Sequence, residues 1–465
     1  MAEPLWTSDE ILAATGGRLS GGAFAATGVS IDTRTIESGD LFVALAGERD
    51  GHEYAAMALD RGAGGLLVSQ PVEGPAVVVS DTLKALEQLG EAARVRAPQV
   101  RRGAVTGSVG KTSVTQAIRA GLERAGRAHS SVKSYNNHIG VPLTLARMPR
   151  DTERAVFEIG MNHADEIVPL TRMVQPHAVA ITTVAQAHIE NFADGEAGVA
   201  KAKAEIFEGL LPAGTAVLNA DNAWFDYLSA AAKARGAEVL TFGSDRSCTA
   251  RLIGFSLIDG GARIEARVRG APVAFTLRQS GHHWGLMSLA ALLMMEALGV
   301  AQADGLAALA AFEPLEGRGA ERQVSLAGGV FTLIDESYNA NPASVAAALR
   351  TLGLRQTGGR RVVALTDMLE LGARSPAYHA SLAAEVEAAK VDLVFCAGPM
   401  MKSLWEVLPP TRQGAYAETA AALAPLLTRA IEPGDLVMVK GSRDSKAKAL
   451  YDALCGLESC SGEAA

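Results

Sequence analysis

Long apolar runs, paired cysteines and an excess of positive charge are missing from this chain of 465 residues, aromatic side chains make up only 5% of it, and the missing features each remove a class of protein. The longest apolar stretch, Leu286 to Leu298, is interrupted by Ser288 and Glu296 and falls short of the roughly 20 residues that a membrane helix needs. A buried helix is expected there, and no membrane insertion. The four cysteines, Cys248, Cys396, Cys455 and Cys460, contain no C-x-x-C pair, so they read as reduced thiols rather than a zinc site or a disulfide frame. Met1 to Glu10 carries no basic cluster ahead of an apolar core, so no secretory leader is expected and a cytoplasmic location is. With 43 Lys plus Arg against 51 Asp plus Glu, the net charge of −8 sets up no global field to recruit nucleic acid or an anionic membrane. An anionic ligand has to be held by a local site.

What is present is 48% hydrophobic residues and 48 glycines, many of them ending short Val/Ala/Leu runs. That is the pattern of buried strands alternating with Ala-rich helices, and the length suits about three domains. The fold class expected is α/β. A small first domain (1–97) has strands at Leu41–Leu45, Gly65–Val68 and Val77–Val79. A central domain (98–314) alternates strand, glycine turn and helix, with strands at Gly103–Thr106, Ala155–Ile159, Ala178–Val184 and Ala216–Asn219. Its helices are Lys111–Ala125, Asp165–Val174, Gly198–Leu210 and Ala223–Arg235. Continuous apolar strands followed by helices predict a parallel sheet covered on both faces. Between Thr249 and Arg278 alternating residues around Gly260-Gly261 and Gly270 predict an antiparallel meander, and His282–Leu298 a long helix. A third, Rossmann-like domain (315–465) restarts the alternation, with strands near Val330–Asp335, Arg361–Thr366, Leu393–Ala397 and Leu436–Lys440. The tail from Gly456 is expected to fray.

Chemistry concentrates at the carboxyl ends of the central strands, where open α/β sheets bind ligands. Thr106-Gly-Ser-Val-Gly-Lys-Thr112 follows a strand and opens a helix, the context of a phosphate loop, although its glycines stand closer than in G-x-x-x-x-G-K-[ST]. Gly107 and Gly110 would turn backbone N–H groups toward phosphates, Lys111 would offset their charge, and the Thr112 hydroxyl could ligate Mg²⁺. An ordinary glycine turn does not require Lys-Thr at the helix start. Glu158, at the end of the next strand, is the best second metal ligand. His188 could reach the same edge, although alone such a histidine is more often structural. Lys201 and Lys203 read, from periodicity alone, as a solvated basic face.

Together with Ile31-Asp-Thr-Arg-Thr-Ile-Glu-Ser-Gly-Asp-Leu-Phe-Val-Ala-Leu45, Asp50-Gly-His52, Asn136-Asn-His-Ile-Gly-Val-Pro142, Asp335-Glu-Ser-Tyr-Asn-Ala-Asn-Pro342, Asp367-Met-Leu-Glu-Leu-Gly372 and Lys440-Gly-Ser-Arg443, these motifs resemble the Mur ligase family over nearly the whole chain. The resemblance implies ATP-dependent amide formation through an acyl phosphate in cytoplasmic peptidoglycan precursor synthesis. The implied partners are a UDP-N-acetylmuramoyl-tripeptide and D-alanyl-D-alanine, and the implied state is a monomer. By matching position, Gly107, Ser108, Val109, Gly110, Lys111, Thr112 and Ser113 would hold the ATP phosphates. Thr112 and Glu158 would hold one Mg²⁺ and His188 a second. Lys203 matches a lysine the family carries as an N-carboxylate, which reverses its reading as a solvated cation. Arg318, Glu336 and Asn339 would meet the nucleotide, Glu336 facing the ribose. Ser30, Thr33 and Arg34 would hold the UDP part, with Asn136 and Asn137 beside the sugar-peptide.

Three positions depart from the family pattern. Met287 stands where an Asn associated with adenine is usual, Trp284 replaces a common Asn, and Thr366 takes the place of a Gly beside the presumed dipeptide pocket. The rivals are a diaminopimelate- or lysine-adding relative, a folylpolyglutamate synthase, or a P-loop binding module without ligase activity. The Tyr-Asn-Ala-Asn-Pro run speaks against the first two.

Overall fold

The computed structural model describes residues 4–460 except 48, 133 and 188. Its frame is three large sheets. The first has five strands in the order Arg18–Ser20, Ala76–Val78, Gly65–Val68, Asp40–Val43 and Gly28–Ser30, parallel except for the first pairing. The helix Thr82–Arg96 leaves it, started by the Asp81 carboxylate, which accepts the N–H groups of Leu83 and Lys84. That helix packs on Gly140–Ala146, a helix from much later in the chain. Trp6, Leu86 and Leu89 thus share one core with Leu143 and Ala146, and the Trp6 indole donates to the Ala146 carbonyl at 2.8 Å.

The central sheet has nine strands. Arg101–Thr106 lies between Arg154–Glu158 and Ala178–Ile181, with Ala128–Ser130 outside the former and Thr215–Asn219 and Glu238–Gly243 beyond the latter, all parallel. Ala250–Ile258, Gly261–Val268 and Ala271–Leu277 extend it as the expected meander. Helices Lys111–Ala125 and Trp284–Ala297 cover one face. Ile167–Val174 and Glu196–Ala204 cover the other. The apolar run at 286–298 is therefore a core helix, and no helix among the described residues is long and apolar enough to cross a membrane.

The third sheet runs Ala320–Leu326, Gly329–Glu336, Leu436–Lys440, Arg361–Thr366, Leu393–Ala397 and Gln413–Ala417, parallel but for its first strand. Pro342–Leu354 and Ser375–Ala388 pack on one face, Ala420–Ala430 and Ala447–Cys455 on the other.

Four local differences from the sequence reading have visible causes. The strand from Ala178 stops at Ile181, because its partner strand ends at Thr106 and turns into the phosphate loop. Thr182 still donates its N–H to the Thr106 carbonyl at 3.0 Å, and its hydroxyl reaches the Val109 carbonyl at 2.6 Å. The helix expected from Asp165 starts at Ile167, since Asp165 sits at φ +66°. The helix expected over 198–210 is α only to Ala204 and then a tighter turn, Glu205–Gly209. There the Glu205 carboxylate accepts the N–H groups of Asp165 and Ile167 at 2.7 and 3.1 Å, joining two helix ends. The tail, expected to fray, forms a short helix Leu457–Cys460 in which Glu458 pairs with Arg322. Residues 461–465 lie outside the described residues.

Candidate active site

The phosphate loop has the form its glycines allow. Gly107 sits at φ +151° with the Thr182 hydroxyl only 1.8 Å from where a Cβ would stand, and Gly110 at φ +84° opens the Lys111–Ala125 helix. No side chain caps that helix, which leaves its first N–H groups for an anion. Ser108 holds the loop to the neighbouring strand's exit: its hydroxyl donates to the Ala185 carbonyl and accepts the Ala185 N–H, both at 3.0 Å. Val109 is fixed by Thr182 on the same side. Lys111 folds back to donate to the Gly107 carbonyl at 2.8 Å. Burial lowers its pKa, against the pull of Glu158 and with a further push from Arg318.

A second group gathers beside the helix start. The Thr112 and Ser134 hydroxyls lie 2.8 Å apart, and Arg318 reaches in from the start of the third unit to donate to Thr112 Oγ1 at 3.1 Å. Glu158 is 1% exposed. Its Oε1 accepts from Asn136 at 2.6 Å, while Oε2 is buried without a hydrogen-bond partner. A buried carboxylate oxygen left unsatisfied is costly unless a cation takes it, so this atom and the Thr112 hydroxyl fit a metal ion. Among the described residues no three His, Cys, Asp or Glu side chains converge as a cage. Such a donor set suits Mg²⁺, which takes one or two carboxylates and completes its shell with water and phosphate oxygens.

Lys203, on the Glu196–Ala204 helix, is 2% exposed, so it is not part of a solvated face. Burial first, and then the charge of Lys111, hold its pKa well below the lysine range. Lys201, by contrast, points to solvent and pairs with Asp194 at 2.7 Å. His188 lies outside the described residues.

The opposite wall comes from the third sheet. Glu336 and Lys440 end adjacent parallel strands in register and meet at 3.1 Å, and Lys440 also donates to the Asn339 carbonyl at 3.0 Å. Arg318 stacks over the Tyr338 ring at 4.1 Å. Between the walls lies a cleft of about 560 Å³, which Gly107 does not line but Ser108 through Ser113, Asn136, Asn137 and Glu158 do. Arg318, Glu336 and Asn339 line it from the other side. His283, Trp284 and Met287 form an end of it on the buried helix, where Met287 packs against Gly110. Sequence reasoning had not singled out Thr182 or Ser134, and had Tyr338 only as part of the 335–342 motif, with no contact assigned to it. The first stands directly after an apolar strand run, a signal that was open to reading.

Other expected positions are not brought into that cleft. Ser30 is buried with its hydroxyl on the Asp32 carbonyl at 3.1 Å, Thr33 accepts from Arg61, and Arg34 is exposed and paired with Asp32 at 2.7 Å. This loop nonetheless neighbours the Asn136 segment. Arg147 donates to the Val29 carbonyl at 2.6 Å and lies 6.0 Å from the Tyr135 ring centre. Asn137 uses its side-chain oxygen to accept from Ile139 and Gly140. Thr366 is buried against Ser445 at 2.5 Å and is not a cleft residue.

Fold and site together define a P-loop nucleotide-binding enzyme whose cleft lies between two parallel-sheet units. Residues 105–295 match the Mur ligase middle domain, 322–443 the Mur ligase glutamate ligase domain, and 25–112 the Mur ligase family catalytic domain. The UDP-N-acetylmuramoyl-tripeptide–D-alanyl-D-alanine ligase of Escherichia coli (strain K12) is 34% identical over 94% of this chain and 96% of its own. The enzyme of that name from Bacillus subtilis (strain 168) is 32% identical over 90% of this chain and 91% of its own. Crystal structure I of MurF from Acinetobacter baumannii superposes with a TM-score of 0.85 at 29% identity, covering 97% of this chain and 99% of that one. The chain belongs to the Mur ligase family and is an ATP-dependent ligase.

Proposed function

We propose that this ligase adds D-alanyl-D-alanine to UDP-N-acetylmuramoyl-tripeptide in the cytoplasm, completing a peptidoglycan precursor. The observation that carries the reading is the cleft in which the phosphate loop, the unsatisfied Glu158 carboxylate and the Glu336–Lys440 wall converge. Near full-length identity to ligases of that name favours it over a diaminopimelate-adding or folate-acting relative. Residues 1–97 would hold the UDP-sugar through Ser30, Thr33 and Arg34, 98–314 the ATP, and 315–465 the dipeptide.

The carboxylate of the tripeptide attacks the γ-phosphorus of ATP, giving an acyl phosphate and ADP. The dipeptide's neutral amine then attacks the acyl carbon, forming the amide and releasing phosphate. Two anions must approach in the first step, and Lys111, the uncapped helix start and Arg318 supply the fixed positive charge that offsets this. Thr112 and Glu158, with Asn136 orienting the carboxylate, would hold Mg²⁺, and His188 a second ion. Mg²⁺ would supply further charge neutralisation there. Lys203 as an N-carboxylate would turn a disfavoured buried cation into an anion suited to that neighbourhood. A lysine kept from protonation offers the free amine that adds CO₂, with release of one proton. Lys203→Ala should lose activity and regain part of it with short carboxylates; no rescue would return Lys203 to a structural role.

Mass spectrometry tests the whole reading. With UDP-N-acetylmuramoyl-tripeptide, ATP and Mg²⁺, the product should gain a whole dipeptide, with little product from single amino acids. Preferential addition of diaminopimelate to the dipeptide precursor would overturn the acceptor and leave the ligase class standing.

A further inference from the structure

The Glu336–Lys440 pair is built more firmly than a cleft wall needs. Glu336 closes the Gly329–Glu336 strand and Lys440 closes Leu436–Lys440, and the two are register partners at the carboxyl edge of a parallel sheet. The Lys440 side chain is 3% exposed and that of Glu336 20%, so the ammonium lies inside the wall and the carboxylate at its surface. One N–H of Lys440 goes to Glu336 Oε2 at 3.1 Å and another to the Asn339 carbonyl at 3.0 Å. One buried cation thereby fixes both the carboxylate and the turn that follows it. Asn339 in turn accepts the Ala340 N–H on its own side-chain oxygen, which locks that turn. His283 also lines the cleft, close enough to Glu336 and Lys440 to feel their charges.

We propose that Lys440 is a positioning residue for nucleotide selection, holding the Glu336 carboxylate and the 337–339 turn so that one carboxylate oxygen stands ready to accept a ribose hydroxyl of ATP. This rests on the reading of Glu336 as the ribose-facing acid. A carboxylate is an acceptor only, so it recognises a sugar by its O–H donors. A site built to bond a hydroxyl rejects the analogue lacking it, because its polar group is then left without a partner. Held on Oε2 by a buried ammonium, Glu336 loses little conformational freedom when the sugar arrives, and selectivity follows from that preorganisation. A lysine that served only to hold the fold would leave the choice between sugars untouched.

The test is steady-state ligation by the full chain with ATP, 2′-deoxy-ATP and 3′-deoxy-ATP. The unaltered enzyme should prefer ATP over at least one deoxy analogue by a factor on the order of 10 to 100. Lys440→Met should raise the KM for ATP about tenfold, more than it lowers kcat, and should collapse that preference toward unity. Lys440→Arg should restore part of the preference. Glu336→Ala, which removes the acceptor altogether, should collapse it too, and the double variant should be no worse than the single ones, since both remove one unit. The KM for the UDP-peptide and the melting temperature serve as controls for folding. If Glu336→Ala collapses the preference and folded Lys440→Met retains it, the positioning role is wrong while the reading of Glu336 stands. If neither variant moves the preference, both fail.

Discussion

The central sheet is joined to its two neighbours in opposite ways. Toward the first sheet the joint is a shared apolar core, in which Trp6, Leu86 and Leu89 are packed with Leu143 and Ala146, all 2% exposed or less. Each such large side chain contributes about 1.5–3 kcal/mol by leaving water. Toward the third sheet no apolar core among the described residues crosses over. The contacts there are separate hydrogen bonds. Arg318 reaches Thr112, the Gly372 N–H reaches Glu190 at 3.2 Å, Arg355 reaches Ser280 at 3.1 Å, and the His282 N–H reaches Thr351 at 3.3 Å. Each is worth about 0.5–1.5 kcal/mol. Cavities of about 560 and 640 Å³ lie along this second joint. The first, strong joint resists separation as one apolar unit, whereas the second, weak one is held by bonds that can be broken one at a time.

The largest effect expected comes from the weak joint's own machinery. Lys111→Ala should lower ADP release by a factor on the order of 10² to 10³, as loss of one preorganised charge at a transferring group does. Binding of the UDP-peptide, followed by calorimetry, should stay near normal if the proposed site at Ser30, Thr33 and Arg34, across the strong joint, holds its UDP part. Near wild-type turnover would contradict the phosphate-loop assignment. Next comes the strong joint itself. Leu143→Ala should cost about 2–5 kcal/mol in urea unfolding, with amide exchange accelerated in the Thr82–Arg96 helix and unchanged in the third sheet. Exchange that rises equally in all three sheets would mean that this core does not act as a local joint.

The smallest effect should come from Arg355→Ala, which removes both the Ser280 bond and the two-pronged pairing with Glu321. Partly exposed pairs of this kind give about 1 kcal/mol or less. The expected result is a small increase in the scattering radius with little change in global unfolding. The pH dependence has a definite sign. Burial pushes Glu321 upward, but the Arg355 donors outweigh it and hold its pKa below the ordinary carboxylate range. The clasp is therefore complete above the unfolded value and is lost only as pH falls through the lowered one. A radius that expands between pH 8 and 6 would have to come from other groups.

How much of this was legible depended on how strongly local pattern and burial agreed. Arg361–Thr366, Leu393–Ala397 and Leu436–Lys440 have the bounds expected, because each is a continuous apolar run buried on both faces. Gln413–Ala417 and Ala320–Leu326 were not read as strands: they are edge strands, half exposed and carrying Gly or charged residues, and only pairing with a neighbour makes them strands. In the site, the phosphate loop was legible because strand, glycines, Lys and Thr are contiguous. Burial of Lys203 was not legible from periodicity, since a buried lysine violates the usual pattern and only the family resemblance pointed to it. Thr366 could be marked as a departure, yet its partner Ser445 is 79 residues away, a pairing that a single sequence does not display.

The core shared by Trp6, Leu86 and Leu143 also bears on modularity. Composition places a seam near residue 97, and a fragment ending there would look complete on paper. Such a fragment would carry its apolar flank uncovered, because Leu143 and Ala146, which close it, are encoded some fifty residues downstream. The unit of inheritance here is thus not a contiguous segment. Exchanging first units between related enzymes would require carrying the Gly140–Ala146 helix along with them, or redesigning the face that receives it.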